Sequence, residues 1–238
     1  MKPLNKIKVI QDIIKRIKAK IYLEIGVEKG LCFLKIKARK KFGVDPKFLI
    51  GIKDKISKYI TNPWNFFNQY YQMPSDDFFK LKSNIFEQDG IDIALVDGLH
   101  TYEQSLKDVD NVLTYLNDNG FVIMHDCNPK TESVAYPANS IEHAYTLNLP
   151  GWTGAWSGDV WKTIVYLRST RSDLSIFVLD CDDGVGIITK GKPEKMLNYS
   201  KEEIENLSYN DLEKNRSNLL NLKCPEYFEE FKKTLAQK

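Results

Sequence analysis

The chain has 238 residues, of which 42% are hydrophobic and 12% aromatic, and its formal net charge is +2. That suits one large domain with a sizeable core and excludes a disordered chain. The near-balanced charge gives no electrostatic case for nucleic acid, and no apolar run approaches the ~20 residues of a membrane span, so neither is an expected partner. In chain order, "PLNKIKVIQDIIKRIKA" puts Ile7, Ile10, Ile13, Ile14 and Ile17 on one face and predicts an amphipathic helix over residues 3–19. "IYLEIG" predicts a short strand ending at Glu24 and a glycine, and "EKGLCFLKIKARKKF" a crossover helix whose "KIKARKK" is a solvated face. "GVDP" closes a second strand at Asp45, where Pro46 bars the ladder from continuing. Residues 47–66 carry no decisive pattern. "NQYYQM" reads as a third strand, and "PSDDFFKLKSNIFEQDG" as a loop and helix with Ser75, Asp76 and Asp77 at the N-cap.

"IDIALVD" is a fourth strand, ending at Asp97. "TYEQSLKDVDNVLTYL" has helical spacing, with Thr101 and Gln104 placed as a capping box, and "NDNG" stops it. "FVIMHD" is a fifth strand, ending at His125 and Asp126; a long irregular insert over about 127–160 follows. "VWKTIVYLR" predicts a helix and "LSIFVLDCDDGVGIITKG" an antiparallel strand pair. Residues 193–238 form a charged helical extension to a domain spanning 1–192. Cys32, Cys127, Cys181 and Cys224 lie far apart with no CxxC pair, which suits reduced thiols in a cytoplasmic protein without structural zinc.

Strands alternating with helices imply a parallel α/β sheet, whose ligands bind at the carboxyl ends of the strands. Glu24, Asp45, Asp97 and Asp126 all fall there. Capping or turn roles account for any one of these acids, but poorly for all four. The first loop, "LEIGVEKG", lacks the middle glycine of a dinucleotide fingerprint, and Glu24 and Glu28 would repel a pyrophosphate. A cofactor with no phosphate and a positive centre fits better, and S-adenosylmethionine is one. Gly26 and Gly30 let it approach the backbone, and Asp45 is placed to accept its ribose hydroxyls.

"YLEIGVEKG", "GVDP", "MPSDDFF", "VDGLHTYEQSLKDVDNVL", "VIMHDCNP", "GDVWKTIVYLR" and "DDGVGII" together resemble the class I S-adenosylmethionine-dependent methyltransferases, in the branch with "DGxHxY" and "HD" strand ends. The resemblance covers roughly residues 20–190. It implies a Rossmann-like, seven-stranded, mostly parallel sheet with helices on both faces and an antiparallel strand near its end. It also implies O-methylation, with a sugar or sugar-linked small molecule as acceptor, and puts Ser75, Asp76 and Asp97 with the cofactor. Glu28 departs from the glycine many members have, and His125-Asp126 from the paired aspartates of some. His100, with an ordinary pKa near ~6.5, is the expected general base beside Asp97. Asp97 and Asp126 are the expected ligands of Mg²⁺ or Mn²⁺, the imidazole favouring manganese over magnesium. His125, Tyr102 and Trp156 are the expected substrate contacts. A homodimer is compatible with all of this. The other function class is a non-catalytic or dinucleotide-dependent module in glycan assembly.

Overall fold

The structure is a computed structural model, and it describes residues 3–235. The outermost residues of the two expected segments, 1–2 and 236–238, lie outside the described residues. An amphipathic helix α1 (Lys6–Ile17) is capped by Asn5 and buries Val9, Ile10, Ile13 and Ile14. Strands β1 (Ile21–Ile25), β2 (Lys40–Asp45), β3 (Asn68–Gln72), β4 (Ile91–Val96) and β5 (Leu116–Met124) then run parallel. β6 (Leu174–Leu179) and β7 (Val185–Lys190) form the expected antiparallel pair, with β7 inserted beside β5. The sheet order is β3-β2-β1-β4-β5-β7-β6-β8.

Seven strands were expected, and the described sheet has eight. β8 (Leu222–Lys223) comes from the C-terminal region and pairs parallel with β6 over two residues, too short to show in a hydropathy pattern. The C-terminal region is also less separate than an extension. Its helices α7 (Lys201–Glu205) and α8 (Tyr209–Leu220) send Ile204, Leu212, Leu219 and Leu220 into one core, and α9 (Tyr227–Thr234) sends Phe228 into the other.

The two cores lie on opposite faces of the sheet. One holds α3 (Ser75–Lys82), α4 (Tyr102–Tyr115) and α6 (Trp161–Thr170). The other holds α1 and residues 32–38, where a crossover helix was expected. That helix is not formed: residues 28–39 are turns and irregular chain. The reason lies in three buried side chains. The Lys41 ammonium donates to the carbonyls of Phe33 and Ile36, Asn62 donates to those of Leu34 and Ile36, and Asn65 to that of Leu34. Carbonyls satisfied from the side have no need of helical partners. Lys41, read from the sequence as part of a solvated face, is fully buried.

Residues 47–66, undecided in sequence, contain α2 (Ile52–Thr61) and a 3₁₀ turn over Pro63–Phe67. The N-cap of α3 is Pro74, not Ser75, and makes no side-chain bond. Thr101 does cap α4, accepting from the Gln104 N–H at 3.3 Å. The reciprocal half of the box is missing, because the Gln104 amide turns to Ser75, Asp76 and Asp108. The insert contributes α5 (Ile141–Thr146) and a small cluster of Ala138, Ala144 and Trp156.

Candidate active site

The strand order reverses between β1 and β4, and the carboxyl ends of these strands open into a cleft of about 690 Å³. Glu24, Gly26, Asp45, Asp97, His100, His125 and Asp126 all line it. The ladder extends just past the apolar runs: Asp97 N donates to the Ile25 carbonyl at 2.9 Å and His125 N to that of Val96 at 3.2 Å. Fixed by the sheet, the ends of β4 and β5 carry their acids to one point.

At that point two carboxylates meet two imidazoles and an ammonium. His100 Nε2 lies 3.3 Å from Asp126 Oδ2 and 3.7 Å from Asp97 Oδ1. His125 Nδ1 lies 3.0 Å from Asp126 Oδ2 and 3.2 Å from Asp97 Oδ1. The Lys6 ammonium, delivered by α1, bonds Asp97 Oδ2 at 2.6 Å. Ser157 donates to Asp126 Oδ1 at 2.6 Å. Asp126 holds this position with a left-handed backbone, φ 60°.

The electrostatics follow from the charges. Burial opposes protonation of the histidines, but Asp97 and Asp126 outweigh it, raising His100 to about 9 and His125 to about 10. Burial would likewise raise Asp97, yet His125, His100 and Lys6 hold it well below the usual carboxylate range. A His100 titrating near its ordinary value was expected, and that expectation is corrected: in this arrangement it is cationic at neutral pH.

The same geometry fits a divalent cation. Asp97, His100 and Asp126 each offer one atom, and those atoms lie within 4.8 Å of one another. His100 Nδ1 is anchored 2.6 Å from the Trp156 carbonyl, which leaves Nε2 facing the acids, the orientation a metal-binding imidazole needs. A mixed nitrogen and oxygen donor set suits manganese or zinc better than magnesium. His125 contributes instead to a second group with Asp126 and Asp183.

The glycine loop passes close to Asp97. Gly26 has φ 87°, and a Cβ there would overlap the Asp97 carbonyl. Asp45 accepts from Glu28 N and Lys47 N, both at 2.7 Å, and so fixes the loop while facing the cleft. Glu28 sits at φ 44°, a left-handed conformation at the position where glycine is usual in the resembling family. Gly30 also has a positive φ and packs on Ile50 and Leu34 rather than on the cleft. Glu24 is almost wholly buried, accepting from the Tyr22 hydroxyl and from Phe33 N at 3.2 Å. Burial raises its pKa to about 7.

Ser75 and Asp76 lie in an adjoining cavity of about 380 Å³ that shares Gly26, Gly98 and Leu99 with the cleft. Asp108 lies in its wall, nearly fully buried, with a pKa raised by burial to about 6. Asp108 and Lys6 were not identified from the sequence. Lys6 is one basic residue among 34, and its partner lies 91 positions away. Asp108 reads in sequence as a polar position on an amphipathic helix.

Two expected substrate contacts are placed differently. Tyr102 is outside the cleft lining: its side chain packs in the core against Tyr166, because its position at the start of α4 faces α6. Trp156 does reach the cleft, but its ring is buried in the insert and its indole N–H donates to the Tyr136 carbonyl. What it gives the site is its backbone carbonyl, held by His100.

Residues 23–127, which include all four strand-end acids, match the sequence profile of a family described as a methyltransferase domain. Over that segment the chain carries a methyltransferase domain. No curated protein matches it in sequence. Among solved structures, the chain is similar to a provisionally assigned caffeoyl-CoA O-methyltransferase from Staphylococcus aureus. The identity is 15%, the match covers 78% of this chain and 82% of that one, and the TM-score is 0.54. It is also similar to an SAH-bound methyltransferase from Podospora anserina, at 16% identity, 76% of each chain and TM-score 0.52. A third is an O-methyltransferase from Bacillus cereus in complex with SAH, at 11% identity, 77% and 80% coverage and TM-score 0.51. At these identities the likeness shows the fold alone.

Proposed function

We propose that the protein transfers a methyl group from S-adenosylmethionine to a hydroxyl of a sugar or sugar-linked metabolite. The observation that carries this reading is the convergence of Asp97, His100 and Asp126 beside the Gly26 loop. The loop and Asp45 suit an uncharged ribose. Ser75, Asp76 and Asp108 line the cavity that would take the purine. The two similar structures that hold SAH support the same cofactor.

In the reaction the acceptor oxygen attacks the methyl carbon and the carbon–sulfur bond breaks, leaving S-adenosylhomocysteine. The hydroxyl proton goes to His100 Nε2, which must first be neutral; the Trp156 carbonyl holds the ring with Nδ1 protonated. A divalent cation on Asp97, His100 and Asp126 would orient two acceptor oxygens and lower a hydroxyl's pKa. With such an ion bound, His100 is a ligand and the proton needs another route. The insert lines the acceptor side with Ser140 and Glu142, polar groups that suit a hydroxyl-rich acceptor. The four unpaired cysteines suit a cytoplasmic enzyme.

The test is an acceptor screen, nucleotide sugars first and catechol-type diols second, that follows S-adenosylhomocysteine formation with and without EDTA. Methylation of a sugar hydroxyl is the expected result. Methylation of diols alone replaces the sugar reading, and calorimetric binding of NAD in preference to S-adenosylmethionine overturns the cofactor. Full turnover by enzyme shown metal-free removes the metal.

A further inference from the structure

The side chains of α2 are arranged the wrong way round for a helix that only packs on its own domain. Ile52, Ile56 and Ile60 recur every fourth residue and so form one stripe, and that stripe faces solvent. The 3₁₀ turn that follows adds Trp64, Phe66 and Phe67, so that these six side chains are each between 43% and 78% exposed. Lone exposed apolar residues are ordinary; a contiguous set of this size marks an interaction surface. Tyr59 packs toward the body, and Asn62 and Asn65, just past the end of the helix, tie it to the Leu34 carbonyl.

Charge decides the partner. Residues 47–67 carry four lysines and one aspartate, a net charge of +3, and Lys53 is exposed beside the isoleucine stripe. A second copy docked on this face would set two such surfaces against each other, and protein interfaces are depleted in lysine. An apolar stripe bordered by lysine and followed by tryptophan and phenylalanine is the composition of a helix that lies in the plane of a lipid surface. No helix among the described residues is long and apolar enough to cross a membrane, and a surface-lying helix needs no span.

We propose that α2 and the following turn dock the protein on an anionic phospholipid surface. The apolar side chains enter the headgroup boundary and the lysines contact the acidic headgroups. The patch reaches the cleft: Leu31 and Leu49 are exposed and line its mouth, and Leu49 N is bonded to the Glu28 carbonyl of the glycine loop. Docking therefore turns the mouth of the cleft toward the lipid.

The test is sedimentation of the full chain with sucrose-loaded vesicles of phosphatidylcholine alone, and of phosphatidylcholine mixed with phosphatidylglycerol. The protein should pellet with the mixed vesicles, and raised salt should weaken the binding. Ile56→Asp with Phe66→Asp should weaken it at least about tenfold, and Lys53→Glu by less. Both variants should melt close to the wild-type temperature, since these side chains are mostly exposed. Wild type that pellets with neither vesicle overturns the proposal, as does pelleting that the double variant retains. Light scattering that finds a dimer, made monomeric by the same double variant, also overturns it and assigns the patch to self-association.

Discussion

His100 holds its proton more tightly than a free imidazole because two carboxylates face its Nε2. A base must lose that proton before it can take another, so metal-free enzyme should speed up as pH rises. The expected profile of kcat/KM climbs about tenfold per unit from neutral pH toward about 9 and then levels. A profile flat across that range would move the base role elsewhere. Stability runs the opposite way. A histidine with a raised pKa stabilises the fold below its ordinary value of ~6.5, and that contribution is lost as pH rises through about 10 for His125. The stability difference between wild type and His125→Gln, measured by urea unfolding, should therefore shrink from pH ~7 upward. Asp45→Ala should weaken S-adenosylmethionine by about 1.5–3 kcal/mol in calorimetry, and unchanged affinity in a folded variant would sink the ribose assignment. These acids were readable because each closes an apolar run. Lys6 was not, because nothing local distinguishes a lysine on the first turn of an amphipathic helix from any other.

At the scale of single elements, hydrophobic pattern located α1, α4 and α6, which each bury one face, and the longer strands, of which all but β3 are buried along most of their length. It failed on residues 28–39, where "LCFLKIK" has enough apolar residues for a helix. There the backbone bonds are settled by Lys41, Asn62 and Asn65, which lie beyond the segment itself. Lys41→Met would take from the Phe33 carbonyl the donor it has, while the Ile36 carbonyl keeps Asn62 and Asn65 Oδ1 keeps Asn68. A buried group left unpaired costs about 1–3 kcal/mol, so the variant should lose about that much in urea unfolding. Because Phe33 N also bonds Glu24, its cofactor affinity should fall as well. A variant as stable as wild type would show that the segment finds other donors.

For the whole molecule, the order of the strands explains why four acids spread over about a hundred residues share one cleft: parallel strands bring all their carboxyl ends to the same side. The alternation of strand and helix made that much readable. The role of the C-terminal region was hidden, because its apolar residues are sparse and each is buried by a partner far away in the chain. Ending the chain at residue 192 would uncover the surfaces that Ile204, Leu212, Leu219, Leu220 and Phe228 now cover. Each large side chain is worth roughly 1.5–3 kcal/mol of burial, and a whole domain is stable by only about 5–15 kcal/mol. The truncated protein should therefore fail to give a cooperative melt and should aggregate; a soluble, sharply melting fragment would show the region to be an appendage.

The buried Lys41 has one more consequence. Burial lowers its pKa to about 7, so near neutral pH much of it is a free amine, the form that attacks acylating reagents. No reagent can reach it while the segment is closed. Its labelling rate is therefore a clock for the opening of the chain beneath the cofactor loop, and S-adenosylmethionine, by holding that loop shut, should slow the clock.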